Sequence, residues 1–551
     1  MLARLLSMTL EGIDGREVAV EVDIAMGAPA LRIAGMVERA GKECLVRVVS
    51  ALRRCGFELP GKKITIGVSP AEPPKRAASL DLAVALGLLV AEHHVPPAQV
   101  EGLLLAGELT LAGTLLPVRG ALPMALAARR AGVRALVLPE RNAAEVAGWV
   151  DVPVLGPRTI GDLVLHLLGQ QPLKPMASPL PEAVPPARGD LADVIGQPVA
   201  RRALEIAAAG GHNLLLVGPP GSGKTLLAER MSGILPPLSP EEARETAVVY
   251  SAVGLLDPRR GRMFARPFRA PHHTVSYAGL VGGGSPPRPG EASLAHNGVL
   301  FLDELPEFNR SALEALRQPL ESGLLAVARI HGSAVFPARF SLVAAANPCP
   351  CGHLGDPRRP CRCSEAAIER YRARLSGPLL DRIDLQVHVG PVRPEALAAG
   401  RTHDAETSAV VRERVLAARD RQLLRTESLG IAAPVNARLA GDELAAAAPL
   451  DREARLFLTK AADRLALTAR GWHRVIRVAR TVADLDGAAE VDIRHLAEAL
   501  GYRLGECEPQ PSLGPHPAVG EGEPTEARRA KAGESSRSPC IDDPGAGGLT
   551  P

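Results

Sequence analysis

Asn213-Leu214-Leu215-Leu216-Val217 runs into Gly218-Pro219-Pro220-Gly221-Ser222-Gly223-Lys224-Thr225 and then into Leu226-Leu227-Ala228-Glu229-Arg230. The first segment is a short apolar run ended by a turn signal, which predicts a buried strand. The second fits G-x-x-x-x-G-K-[ST], where glycines let backbone N–H groups curl around the β- and γ-phosphates of a nucleotide. The third predicts a helix whose N-terminus adds partial positive charge at the same point. Lys224 is placed to neutralise phosphate oxygens, and the Thr225 hydroxyl to hold Mg2+. A chance glycine turn would not carry the strand, the Lys-Thr pair and the helix together.

Two later strands extend this reading. Gly298-Val299-Leu300-Phe301-Leu302-Asp303-Glu304 is apolar and ends in two acids, which are costly at the end of a buried strand unless a cation needs them. Asp303 suits the Mg2+ shell and Glu304 the polarisation of an attacking water. The plain alternative is a turn with Asp303 as a helix N-cap. Phe340-Ser341-Leu342-Val343-Ala344-Ala345-Ala346 ends at Asn347-Pro348, where an amide can position that water and where Asn-Pro is equally a turn starter. Gly377-Pro378-Leu379-Leu380-Asp381-Arg382-Ile383-Asp384 and Leu467-Thr468-Ala469-Arg470 each offer a guanidinium, a group that strongly assists phosphoryl transfer by meeting the developing charge. Arg382 is expected to act across a subunit boundary, and Arg470 to sense the γ-phosphate from a helical lid. Surface ion pairing is the ordinary alternative for both.

The whole chain has 551 residues, enough for about three domains. Its 64 Lys+Arg nearly cancel 61 Asp+Glu, leaving +3, so no uniform basic field announces a polyanionic or membrane partner. Hydrophobic residues at 46% and charged ones at 23% are the balance of a soluble globular protein, and aromatics at 3% force aliphatic cores. No apolar run reaches the ~20 residues of a membrane helix. Met1-Leu2-Ala3-Arg4-Leu5-Leu6 lacks the sustained apolar stretch and small-residue cleavage site of a signal peptide, so a cytoplasmic protein is expected. Residues 1–170 alternate short strands, such as Val18–Ile24, with helices, such as Leu80–Val90. Pro-rich 171–188 reads as a semi-rigid linker. Residues 189–395 alternate strands and helices again, as an α/β sheet does, and 396–505 look all-helical. From 506 to 551 the chain is too poor in large apolar groups to offset its ordering entropy and reads as a disordered tail.

A phosphate loop, an Asp-Glu strand, a strand-end Asn, a Leu-Leu-Asp-Arg box and a late helical Arg, in that order, resemble the AAA+ ATPases. Asp190-Leu191-Ala192-Asp193-Val194-Ile195-Gly196-Gln197 is similar to that superfamily's adenine-side box. More narrowly, Arg269-Ala270-Pro271-His272-His273-Thr274, Val281-Gly282-Gly283-Gly284 and Pro287-Arg288-Pro289-Gly290-Glu291-Ala292-Ser293-Leu294-Ala295-His296-Asn297-Gly298 resemble the magnesium-chelatase-like branch. Within it the resemblance is to the ComM/YifB family, from near the N-terminus to about residue 505. It implies an α/β AAA+ P-loop core with a helical lid, and a hexameric ring motor using ATP and Mg2+. The work it implies is branch migration of single-stranded or branched DNA in natural transformation and recombination.

Gly107-Glu108-Leu109-Thr110-Leu111-Ala112-Gly113-Thr114-Leu115-Leu116-Pro117-Val118 and Ala127-Ala128-Arg129-Arg130-Ala131-Gly132-Val133 resemble the proteolytic domain of Lon protease. An α+β, ribosomal-S5-like fold is implied for the first domain. Lon enzymes use a Ser–Lys dyad; the resemblance places Met124 where the lysine belongs, and Ser79 near the serine's place without its flanking glycines. A thioether is no base, so a non-proteolytic domain is expected.

Cys349-Pro350-Cys351-Gly352-His353 and Cys361-Arg362-Cys363 put four thiols in one short loop. Four thiolates make a closed tetrahedral Zn2+ site, with His353 a possible substitute ligand. Redox-active or merely tolerated cysteines are the alternatives. Arg259, Arg260, Arg262, Arg266 and Arg269, interleaved with Phe264 and Phe268 and followed by His272 and His273, form the densest basic stretch. Such a stretch suits DNA phosphates and bases, or a solvated loop or subunit contact. The leading expectation is an ATP-driven DNA translocase. A chelatase-type motor inserting Mg2+ into a tetrapyrrole is the second, disfavoured by the Lon-like domain. An ATP-dependent protease is the third, disfavoured by Met124.

Overall fold

The alternation of apolar runs and turns resolves into two main sheets and a helical layer in the computed structural model, which describes residues 2–70, 77–177, 189–257, 264–329, 332–400 and 405–503. The latter part of the linker and the tail expected at 506–551 lie outside the described residues. So do Arg259, Arg260 and Arg262 of the basic stretch.

In the first domain β1 (Leu2–Glu11) and β2 (Asp14–Ala25) pair antiparallel, with Leu2 opposite Asp23 and Glu11 opposite Asp14. Val18, Val20, Val22 and Ile24 all point inward, as a period of two requires. The chain continues through β3 (Ala30–Ala34), α1 (Glu38–Arg54), β4 (Lys63–Ser69), α2 (Asp81–Ala91), β5 (Leu103–Leu105), α3 (Ala121–Arg130), β6 (Ala135–Val137) and β7 (Val154–Leu155). The sheet order is β3-β4-β2-β1-β5-β6-β7. Helix α2 is apolar all round and buried all round, as such a helix must be. Its single acid, Asp81, is fully buried and held bidentately by Arg47, Nε at 2.6 Å and Nη2 at 3.0 Å, while Leu109 N donates to it at 3.1 Å. That fork supplies the hydrogen bonds a buried carboxylate needs.

The second domain runs α4 (Pro198–Gly210), β8 (Leu214–Val217), α5 (Lys224–Ile234), α6 (Pro240–Val253), β9 (Phe268–Arg269), β10 (Val299–Leu302), β11 (Leu324–Arg329), β12 (Gly332–Pro337), β13 (Ser341–Ala346) and β14 (Leu385–His388). Strands β9-β10-β13-β8-β14 form one parallel sheet in that order. Its strands are continuous apolar runs because both faces are covered. The antiparallel hairpin β11–β12 stands where strand–helix alternation had implied only helix. Leu325, Val327 and Phe336 turn inward while Leu324 and Val335 face water, a strand period inside an Ala-rich run. The helical layer is α7 (Ser408–Leu429), α8 (Arg452–Arg464), α9 (Ala469–Leu485) and α10 (Ile493–Gly501), and it shares one core with α4 and α5. No helix among the described residues is long and apolar enough to cross a membrane.

The first domain docks on α6 of the second. Gly120 N donates to the Ser251 carbonyl at 2.8 Å and Leu122 N to Ser251 Oγ at 3.1 Å. Ser251 Oγ in turn donates to Glu145 Oε1 at 2.5 Å, and Ala247 and Leu256 join the apolar cluster around Leu122 and Met124. Burial pushes the Glu145 carboxyl up to about 6, against the opposing pull of Ser251 and Asn142. A carboxyl raised above its unfolded value contributes stability that is complete below the ordinary carboxylate range and is lost as pH rises through about 6. The effect is bounded at about 2 kcal/mol. Replacing Glu145 by Gln should therefore raise the melting temperature at pH 7 and leave it little changed near pH 4.5, as read by scanning calorimetry. A Glu145→Gln shift of the same size at both pH values would contradict this.

Candidate functional site

Parallel pairing puts Val217 beside Ala346 and Leu302 beside Ala344, so β8, β13 and β10 all end at one edge of the sheet. The residues that follow them are Gly218, Asn347 and Asp303. Ligands of open α/β sheets sit at this edge. Gly218 is wedged where a Cβ would stand 2.1 Å from the Val389 carbonyl oxygen, so only glycine fits. Gly223, at φ +90°, turns the loop into α5, and a Cβ there would meet nothing within 4 Å: the cradle above it is open.

Lys224 is only 8% exposed, and its ammonium donates to the Gly218 and Pro219 carbonyls at 2.7 and 2.9 Å and to Asn347 Oδ1 at 3.3 Å. Burial holds it below the ordinary lysine range, with Asp303 and Glu304 pulling it back. Thr225 Oγ1 donates to Asp303 Oδ2 at 2.7 Å, a hydroxyl and a carboxylate meeting where a divalent cation would take one oxygen from each. Glu304 has a left-handed backbone, φ 53° and ψ 47°, with its N–H bonded to Asp303 Oδ1 at 2.9 Å. That conformation is uncommon in a non-glycine residue and is of the kind found at functional sites. A cavity of about 240 Å3 opens beside the loop, lined by Gly196, Gln197, Gly390, Pro391 and Val392; Gln197 closes one wall by donating to the Gly390 carbonyl at 2.6 Å. Gly196 and Gln197 end the segment 190–197 that resembles the adenine-side box.

Lys224, Thr225, Asp303, Glu304 and Asn347 are thus brought together, and Arg382 and Arg470 are not. The Arg382 carbonyl accepts from Asn213 Nδ2 at 2.8 Å, at the start of β8 and so at the opposite edge of the sheet. Its side chain is 7% exposed and bonded to Glu321 and to the Pro378 carbonyl. Arg470 is exposed on the first turn of α9. That helix meets the strand starts through Arg474 Nε with Asp384 Oδ1 at 3.5 Å and through Thr481 with His212 Nε2 at 2.8 Å. Arg470 lies one turn before Arg474 on that helix.

Of the basic stretch, the described Arg266 and Arg269 are each held by a carboxylate of the same domain. Arg266 is bonded to Glu242, to the Pro236 carbonyl and to the Asn297 carbonyl. Arg269 is paired bidentately with Glu291, both contacts at 2.7 Å, and Phe268 stacks on Phe301 inside the sheet. These groups brace the sheet edge. In the first domain Ser79 is 4% exposed with its hydroxyl donating to the Met8 carbonyl, and Met124 is 2% exposed in an apolar cluster.

His273, which follows the basic run and belongs to the Arg269–Thr274 motif, has no role assigned by the sequence. Its Nδ1 lies 3.2 Å from Glu304 Oε2, and its ring packs on His272 with centroids 4.1 Å apart. The signal that could have found it is β9 itself, a two-residue strand beside β10 whose continuation must emerge near Glu304.

Family models described as magnesium chelatase, subunit ChlI, match residues 190–397; as subunit ChlI of Mg-chelatase, residues 20–142; and as the C-terminal part of subunit ChlI, residues 405–503. The chain is 44% identical over 493 residues to the uncharacterized protein YifB of Salmonella typhimurium, covering 89% of this chain and 95% of that protein. It is 43% identical over 507 residues to the competence protein ComM of Haemophilus influenzae, covering 91% and 97%. The chain belongs to the ComM/YifB family. It is a ComM-type, magnesium-chelatase-like AAA+ protein whose sheet and lid are those of a P-loop core. A shorter similarity, 29% identity over 193 residues, relates 32% of the chain to 23% of the Lon protease of Geobacter metallireducens.

For this ComM/YifB-family site, Lys224→Ala is expected to weaken ATP affinity roughly thirtyfold, the loss of one charge-assisted phosphate contact of about 2 kcal/mol, as measured with a fluorescent ATP analogue. His273→Ala should leave that affinity intact and change kcat alone, several-fold downward, because it frees the Glu304 carboxylate from its held position.

Proposed function

We propose that this chain is an ATP-hydrolysing ring motor that moves single-stranded or branched DNA, in the manner of branch migration during transformation and recombination. The observation that carries the ATPase part is the meeting of five polar side chains from three adjacent strand ends at one open cradle. Backbone N–H groups of residues 218–225 and the start of α5 bind the phosphates. Lys224 neutralises their charge, and Thr225 with Asp303 would hold Mg2+, which would supply charge stabilisation to the phosphate oxygens. Glu304 accepts the proton of the attacking water, and Asn347, whose amide already bonds Lys224, orients it.

Arg382 sits at the strand-start edge, across the sheet from the cradle of its own chain, and Arg470 lies one turn before Arg474, which meets Asp384 at that edge. In a closed ring of identical subunits, that edge faces a neighbour's cradle, where a guanidinium meets the developing phosphate charge. Arg382 then exchanges Glu321 for that phosphate. The hexamer and the DNA partner draw their support from the ComM/YifB relationship, one of whose members is named for competence.

A chelatase-type or protein-remodelling motor is the second reading. The family models that match all three regions carry the chelatase subunit's description, so the Lon-like first domain no longer weighs against it. A protease reading has less support, given the burial of Ser79 and Met124.

ATP turnover measured with and without forked DNA separates these readings. Stimulation by forked DNA, together with Glu304→Gln protein that binds ATP but hydrolyses it at least about a hundredfold more slowly, is the expected result. Turnover indifferent to DNA and raised by a protein partner would overturn the DNA reading.

A further inference from the structure

Cys349 follows Asn347 by two residues, and the loop it opens returns to the nucleotide site twice. Gly352, at φ +79°, packs on the phosphate loop so closely that a Cβ there would stand 2.5 Å from Pro220 Cδ. Arg358 Nη2 then donates to the Val392 carbonyl at 2.6 Å, and Val392 lines the cavity beside the loop. Between these two anchors residues 349–363 contain neither helix nor strand. A segment without a backbone ladder or an apolar core needs another cross-link to hold two such contacts in place.

The four thiols are where such a cross-link belongs. Cys349 Sγ lies 3.4 Å from Cys351 Sγ and 3.6 Å from Cys361 Sγ, with Cys351 and Cys361 also 3.6 Å apart. All four sulfurs, Cys363 included, fall within 4.8 Å of one another. These distances are far beyond the ~2.05 Å of a disulfide. They match the edge of about 3.8 Å that a tetrahedron of Zn–S bonds near 2.3 Å requires. His353, the substitute ligand suggested by the sequence, points instead to Asp356, Nδ1 to Oδ2 at 3.1 Å. Cys349 is buried and the other three are part-exposed, which leaves an entry path on the solvent side. Arg358, Arg359 and Arg362, in the same loop, offset the net charge of about −2 that four thiolates on a divalent cation carry.

We propose that Cys349, Cys351, Cys361 and Cys363 bind one Zn2+, and that this clip sets the nucleotide site by holding Gly352 on Pro220, Asn347 on Lys224 and Arg358 on Val392. Binding forms four Zn–S bonds and releases the thiol protons to solvent, with no change of oxidation state. The role of the clip rests on the ATP-binding reading of residues 218–225.

The test uses the full-length chain purified under reducing conditions. Metal analysis should find one Zn2+ per chain; a reduced preparation free of chelators that holds none overturns the proposal. Stripping with a zinc-selective chelator in excess Mg2+ should weaken binding of a fluorescent ATP analogue by about tenfold, and adding Zn2+ back should restore it. Arg358→Ala should keep its zinc and still bind the analogue more weakly, whereas Cys55→Ser should change neither. Equal ATP binding and turnover by the loaded and stripped chains would overturn the clip's role alone. A loaded chain that binds no ATP would overturn the nucleotide reading and the role with it.

Discussion

The parallel register of β8, β13 and β10 is the constraint on which everything else depends. It sets Leu214 beside Val343 and Val299 beside Ser341, and after four to six residues all three strands finish together. A shift of one residue would turn buried Leu214, Leu216 and Val343 toward the opposite face, and it would pull Asp303 away from Thr225. The site's precision therefore comes from an aliphatic core that contains no catalytic group. Leu, Val and Ala dominate that core because the chain has few aromatics to spend on it.

The sheet also separates two kinds of charge. Its strand-end edge carries Asp303 and Glu304 around one buried lysine. Its strand-start edge carries Asp384 between His212 and Arg474, with Arg382 close by and Arg470 one turn away on α9. Four-residue strands hold these edges roughly 13 Å apart. In the ring proposed above, one copy's starting edge would face another's finishing edge. The first domain reinforces the arrangement from the side: it grips α6, whose Thr246 and Tyr250 hydroxyls reach the His296 and Leu294 carbonyls just before β10 begins.

How much of this was legible in the sequence follows from whether each signal is local. The phosphate loop, the Asp-Glu strand end and Asn347 are each set by a handful of consecutive residues, so the residue types were enough to name them, and the ComM/YifB resemblance was legible in longer motifs of the same kind. Arg266 and Arg269 were not, because a run of cations does not say which carboxylates will face it; Glu242 and Glu291 lie 24 and 22 residues away. Nor was the direction of Arg470, which depends on how α9 crosses the sheet. The β11–β12 hairpin was hidden by alanines that suit a helix, and His273 by a partner on a neighbouring strand.

Isothermal titration of the full-length protein with ATP, in the presence of Mg2+ and then with Mg2+ chelated, reads nucleotide binding at Lys224, Thr225 and Asp303. One nucleotide per chain is expected, held much more tightly when Mg2+ is present. No heat of binding at millimolar nucleotide, or the same affinity with and without Mg2+, would contradict it.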